Sequence, residues 1–275
     1  MTHLPGIVVN ESFVQDHFDE LVLCDVRWYL DGRSGFDAYK TSHLRDALFV
    51  DLDSDLSGES GGAAGRHPFP SPDTFAERLG ALGIGDDSVV VAYDDSGGGT
   101  AGRMVWMLRA IGQRAGLLDG GLAGWTGAFE SGPPTPRRAI SRTPIPWPAS
   151  IENTADELLR RVATSILLDA RSGERFRGEV EPTAAPPGHI PGARSLPWTD
   201  LIDPVTKHFL QPDRLRQRFA AVGVDANQGF IASCGSGVSA CALLVGGVHA
   251  GLIPGELFVP STSGWTAQGR EIVTE

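Results

Sequence analysis

Cys234 follows a short apolar run, Phe230 to Ser233, and opens a loop of small residues, Gly235, Ser236, Gly237, Val238, Ser239 and Ala240. A helix-like stretch from Cys241 to Ala250 comes next. At such a strand–loop–helix turn, small residues let successive backbone N–H groups point inward, and the helix N-terminus adds positive potential, so the loop suits an anion. The same field favours a thiolate over a thiol, and a thiolate is a nucleophile. Unpaired cysteines are more often small buried hydrophobes than reagents, so the reactive reading needs a reason of its own.

The chain supplies that reason through an internal repeat. Residues 71–125 align with 211–265 at an offset of 140 without a gap. Pro72, Asp73, Arg78 and Gly83 match Pro212, Asp213, Arg218 and Gly223, and Gly124-Trp125 matches Gly264-Trp265. An earlier block repeats at a slightly larger offset, Leu23 to Arg27 resembling Leu167 to Arg171, and His43 to Ala47 resembling His189 to Ala193. Features present in both halves belong to the scaffold; features present in one are candidates for chemistry. Cys234 faces Asp94 in this register, and Asp95 adds a second carboxylate to the first loop. The first loop would therefore repel an anion, and the active centre is expected at Cys234.

The elements that must hold this loop follow from pattern. Short apolar runs (Leu21 to Cys24, Val89 to Tyr93, Ile166 to Leu168, Phe230 to Ala232) alternate with helical segments, which is the α/β pattern of a mainly parallel sheet covered by helices. Ser71 as N-cap and Pro72 in the first turn, with Phe75, Leu79 and Leu82 at helical spacing, signal a helix that Pro212 to Val222 repeats. Gly83 and Gly223 would end the two helices. Ser131 to Pro148 carries six prolines and no amphipathic pattern, and reads as an extended linker. The expected division is 1–130, a linker 131–149, and 150–275.

Composition bounds the function. A net charge of −11 argues against nucleic acid or an anionic membrane as the main partner. No apolar run approaches the ~20 residues of a membrane helix, and the N-terminus lacks a signal-peptide pattern, so the cytoplasm is the expected compartment. Three scattered cysteines make no disulfide framework, and neither Cys-x-x-Cys nor His-Glu-x-x-His occurs, so no metal is expected. A cysteine phosphatase would use a similar loop but needs an arginine six residues after the cysteine, where this chain has Ala240.

Nearly the whole chain resembles the two-domain rhodanese-type sulfurtransferases. The loop Cys234-Gly-Ser-Gly-Val-Ser-Ala240 is similar to the Cys-Gly-Ser-Gly-Val-Thr loop of the 3-mercaptopyruvate branch, and lacks both basic residues of the thiosulfate branch's Cys-Arg-Lys-Gly-Val-Thr. Gly188-His-Ile-Pro-Gly-Ala193, the two Asp-x-Arg pairs and the Gly-Trp ends of both halves add to the likeness. The resemblance implies two tandem rhodanese-like domains, the first non-catalytic, and a persulfide formed on Cys234 without a cofactor. The sulfur would come from mercaptopyruvate or thiosulfate and pass to cyanide, a dithiol or a thiol protein such as thioredoxin. The alternatives are a thiosulfate-preferring rhodanese, or a catalytically weak rhodanese that carries persulfide to a partner or serves as a binding module.

Residue by residue, the resemblance implies that Gly235, Gly237, Val238, Ser239 and Ala240 line the substrate loop. It implies a triad of Ser236, His67 and Asp53 that shuttles the proton released chemistry requires. Ser96 stands at the equivalent place in the other half, so a turn role for Ser236 stays open. Arg175 matches the arginine that grips the donor carboxylate. The family pattern has a second arginine nine residues later, where this chain has Ala184; Arg177, Arg103 or another cation would have to replace it. His43, His189 and the Asp25–Arg27 and Asp169–Arg171 pairs recur in both halves and are expected to brace loops; Cys24 and Cys241 are expected to be buried.

Overall fold

The computed structural model describes residues 2–148, 151–152, 154–162 and 164–275. The chain forms two compact units. The first comprises Met1–Gly58, Pro70–Pro148 and Val205–His208; the second comprises Glu59–Phe69, Ala149–Pro204 and Phe209–Glu275.

Each unit is built on a five-stranded, wholly parallel sheet. In the first, the order across the sheet is Val8–Val9, Ala115–Leu118, Val89–Tyr93, Leu21–Asp25, Leu48–Phe49. In the second it is Ile151–Glu152, Glu256–Phe258, Phe230–Ser233, Ile166–Asp169, Arg194–Ser195. The two orders are the same. Asp25 pairs with Tyr93 in the first sheet and Asp169 with Ser233 in the second, so the sheet registers reproduce the repeat seen in the sequence. The central strands are buried along their whole length, Leu21–Asp25, Val89–Tyr93 and Phe230–Ser233 alike. Strands covered by helices on both faces require this, and it explains why they read as unbroken apolar runs.

The helices follow their sequence signals. Ser71 Oγ accepts the N–H of Thr74 and caps Pro72–Ala81, while Pro212–Ala221 repeats the helix in the second unit. Both end before a glycine with positive φ, Gly83 and Gly223. Helix Ala240–His249, which follows the Cys234 loop, is apolar all round and accordingly buried from Ala240 to Gly247. The second core gathers Leu158, Leu167, Ile231, Phe258 and Trp265; each buried large side chain contributes about 1.5–3 kcal/mol.

The paired devices of the two halves are structural. His43 Nδ1 lies 2.9 Å from Tyr39 O with its ring stacked on Tyr39, and His189 Nδ1 lies 2.8 Å from Phe176 O with its ring stacked on Phe176. Arg27 is held by Asp25 and donates to Ser42 O; Arg171 is held by Asp169 and donates to Gly188 O. Both pairs tie the end of a sheet strand to the residue just before the recurring histidine, His43 or His189.

Two segments differ from the division expected from sequence. Residues 131–148 carry no helix or strand, but they lie along the first unit: Ile140 N donates to Gly80 O, Arg142 to Ile84 O, and Trp147 Nε1 to Pro70 O. Glu59–Phe69, numbered within the first half, packs with the second unit. Arg66 N donates to Ser263 Oγ, and a methyl group on Gly264 would stand 2.5 Å from Ala63 O. Glycines at the closest approaches let this segment settle on the 260–264 turn.

Candidate active site

Strand Phe230–Ser233 delivers Cys234 to the C-terminal edge of the second sheet, and helix Ala240–His249 starts six residues on. Between them the loop folds back on the sulfur. Gly237 N donates to Cys234 Sγ at 3.1 Å. Gly237 has φ +75°, and a Cβ there would stand 2.4 Å from Val259 O, so the residue that points this amide at the sulfur must be glycine. Burial of Cys234 by itself would push its thiol up. The N–H groups of Ser236 and Ala240 and the Ser239 hydroxyl outweigh burial and hold the thiol below its ordinary value. Asp169 opposes them, and the Arg171 guanidinium beside it feels the Cys234 charge. Cys24 has no such cradle, and burial drives its thiol far up.

The equivalent loop of the first unit already contains its anion. Asp94 Oδ1 accepts N–H groups of Ser96, Gly97 and Gly98, and Oδ2 accepts those of Thr100 and Ala101, all at 2.8–2.9 Å. The hydroxyls of Ser96 and Thr100 also donate to this carboxylate. A side-chain carboxylate thus occupies the cradle that the second unit offers to sulfur. The cradle is thus filled from within, where the sequence suggested only that two carboxylates would repel an anion.

Around Cys234 the second unit assembles polar groups from distant parts of the chain. His67 Nδ1 lies 2.8 Å from Ser236 Oγ, and both side chains are 6% exposed. Arg175, on the short helix Gly173–Phe176, is gripped by Glu181, its Nη2 donating to Oε1 at 2.8 Å and to Oε2 at 3.0 Å. Burial alone would raise the Glu181 carboxyl, but bonds from Thr183 and Arg175 hold it below its ordinary value. A methyl group built on Gly235 would lie 3.2 Å from Arg66 Nη2 and 3.3 Å from Arg175 Nη2. Two guanidinium groups therefore stand over the residue next to the nucleophile.

A depressed, amide-cradled thiol beside two guanidinium groups and a buried Ser–His pair suits capture of an anionic donor by sulfur. A rhodanese-like domain model matches residues 13–128, the half whose loop holds Asp94. A Pseudomonas aeruginosa protein named "Probable 3-mercaptopyruvate sulfurtransferase" is 38% identical over 273 residues, covering 92% of each chain. The chain belongs to the two-domain rhodanese-family sulfurtransferases. A Mycobacterium tuberculosis relative, also 38% identical and covering 86% of each chain, is named for thiosulfate instead. Among solved structures, the 3-mercaptopyruvate sulfurtransferase of Leishmania major superposes with a TM-score of 0.85 at 31% identity, covering 97% of this chain and 76% of that one.

For this sulfurtransferase, the site residues expected from sequence fall into three groups. Cys234, Gly235, Ser236, Gly237, Val238, Ser239 and Ala240 form one loop, and His67 and Arg175 reach it within the second unit. Asp53 belongs to the first unit, where its Oδ2 accepts from Trp28 Nε1 at 3.0 Å. The cations suggested as replacements for the missing second arginine lie elsewhere: Arg177 is an exposed partner of Glu179, and Arg103 is fully buried and donates to Leu56 O. Arg66, which no sequence pattern singled out, is a candidate for that place. It lines a recess of about 320 Å³ with Thr183, Ala184 and Ser263, so Ala184 leaves room on the side where Arg66 stands. Its place next to His67 in the sequence was the available signal. No group of three or more potential metal ligands occurs among the described residues, and no helix among them is long and apolar enough to cross a membrane.

Proposed function

We propose that this sulfurtransferase takes the thiol sulfur of 3-mercaptopyruvate onto Cys234 and passes it, as the sulfane sulfur of a persulfide, to a thiol acceptor. The carrying observation is the convergence of Arg66 and Arg175 over Gly235, which gives a donor carboxylate two cations in a loop that has no basic side chain of its own. The Cys234 thiolate attacks the donor sulfur. An S–S bond forms and the C–S bond breaks, its electron pair passing to the pyruvate enolate. The donor's thiol proton ends on that carbon, leaving pyruvate and a cysteine persulfide anion held by the loop amides.

The His67–Ser236 pair suits the proton's journey. Asp53 is carried into this relay by the family resemblance alone. Thiosulfate would leave as sulfite with no proton to move, so a buried acid–base pair favours mercaptopyruvate as the donor. The persulfide then yields its outer sulfur to an attacking thiolate, regenerating Cys234. A dithiol or a protein such as thioredoxin fits this step, and an acceptor that must be reduced fits a cytoplasmic setting.

The reading is tested by incubating the protein with mercaptopyruvate and no acceptor. The Cys234 peptide should gain the mass of one sulfur atom, discharged by added dithiothreitol. A peptide of unchanged mass would remove Cys234 as the sulfur carrier.

A further inference from the structure

Ser261 lies in the left-handed region, at φ +51°, and is fully buried. That conformation is uncommon for a residue with a side chain and is normally left to glycine. The internal repeat supplies the comparison. Position 261 aligns with Gly121, whose φ is +49°. The turn makes the same backbone bond in both units, Leu122 N to Asp94 O at 2.9 Å and Thr262 N to Cys234 O at 3.0 Å. Backbone shape is therefore scaffold, common to both halves. The side chain is not: glycine serves in the half that holds Asp94, and a strained serine stands in the half that holds Cys234.

The hydroxyl has definite partners. Cys234 N donates to Ser261 Oγ at 3.0 Å, Ser261 Oγ donates to Phe258 O at 3.0 Å, and Cys234 Sγ lies 4.0 Å away. Thr262 Oγ1 donates to Cys234 O at 2.8 Å. The turn thus holds both backbone polar groups of Cys234, and Ser261 alone of these groups also reaches towards its sulfur. Strain at a buried position persists where the surroundings over-determine it, and such positions cluster at functional sites.

We infer that Ser261 is a positioning residue for sulfur transfer, fixing the Cys234 backbone through its N–H and offering its O–H to the sulfur when that sulfur is negatively charged, as the resting thiolate and as the group that leaves when the outer sulfur passes to an acceptor. This rests on the reading of Cys234 as the sulfur-carrying nucleophile. When the hydroxyl turns towards sulfur, it exchanges its bond to Phe258 O for one to Sγ while still accepting from Cys234 N.

The test uses Ser261→Gly, which the same turn of the first unit accommodates, with Ser261→Ala as a second variant and Cys234→Ser as control. Sulfur transfer to cyanide is measured together with the pH dependence of Cys234 alkylation. Asp169, Arg171, Arg66 and Arg175, the charged groups around the sulfur, are present in both proteins. Ser261→Gly should fold, lose turnover by about tenfold through kcat with KM little changed, and move the alkylation midpoint up by about one pH unit. Ser261→Gly with wild-type turnover and midpoint would overturn the inference. Undiminished turnover in Cys234→Ser would instead overturn the reading on which it rests.

Discussion

His67 Nδ1 and Ser236 Oγ meet at 2.8 Å although 169 residues separate them in the chain. The contact exists because Glu59–Phe69 packs with the second unit, bringing the histidine that follows a glycine-rich stretch onto the cysteine loop. Replacing either partner should slow mercaptopyruvate turnover by about a hundredfold, the typical worth of a positioned proton relay. His67→Gln and Ser236→Ala should each slow thiosulfate turnover far less, because sulfite leaves without a proton. Steady-state kinetics with both donors checks this, and equal losses would make the pair structural.

Arg66 and Arg175 should act on binding. Arg66→Ala and Arg175→Ala are each expected to raise KM for mercaptopyruvate by about tenfold, the range of one charged hydrogen bond. Arg177→Ala should leave KM unchanged, since its guanidinium is spent on exposed Glu179. An unaltered KM in Arg66→Ala would remove that residue from the donor site.

The pH dependence follows from the depressed Cys234 thiol. Its thiolate fraction rises as pH rises through the folded value, so the midpoint of alkylation by iodoacetamide should lie below the ordinary thiol value of about 8.5. Cys24, pushed up by burial, should stay unmodified in the folded protein. The same shift favours the folded state at pH above the unfolded thiol range, and that contribution fades as pH falls through the folded value. Alkylation rates followed by peptide mass spectrometry decide the matter; a Cys234 midpoint at or above the ordinary range would contradict the loop's role.

Asp94 should matter for stability rather than turnover. Its carboxylate satisfies five backbone N–H groups, so Asp94→Ala leaves a buried cradle without its anion and should cost on the order of 3 kcal/mol. Urea unfolding of the first unit measures the loss, with sulfur transfer at Cys234 retained by the folded fraction. A variant as stable as wild type would mean that the cradle needs no anion.

Much of this was legible in the chain because the protein repeats itself. Asp25, Arg27 and His43 recur as Asp169, Arg171 and His189 and do the same work in both units, so the repeat separated scaffold from chemistry and isolated Cys234. Ser236, His67 and Arg175 were legible through the family resemblance. Arg66 was not, because its role depends on where an irregular glycine-rich segment packs, and no periodicity encodes that. Ser261 lay in plain view opposite Gly121, but its meaning appears only with φ, a quantity that a serine codes for poorly.

The most direct measurement is sulfur transfer to cyanide and to a dithiol by the wild type and Cys234→Ser, with mercaptopyruvate and thiosulfate compared side by side. The account predicts turnover that vanishes in Cys234→Ser and a higher kcat/KM for mercaptopyruvate. Turnover that survives Cys234→Ser, or a clear preference for thiosulfate, would contradict it.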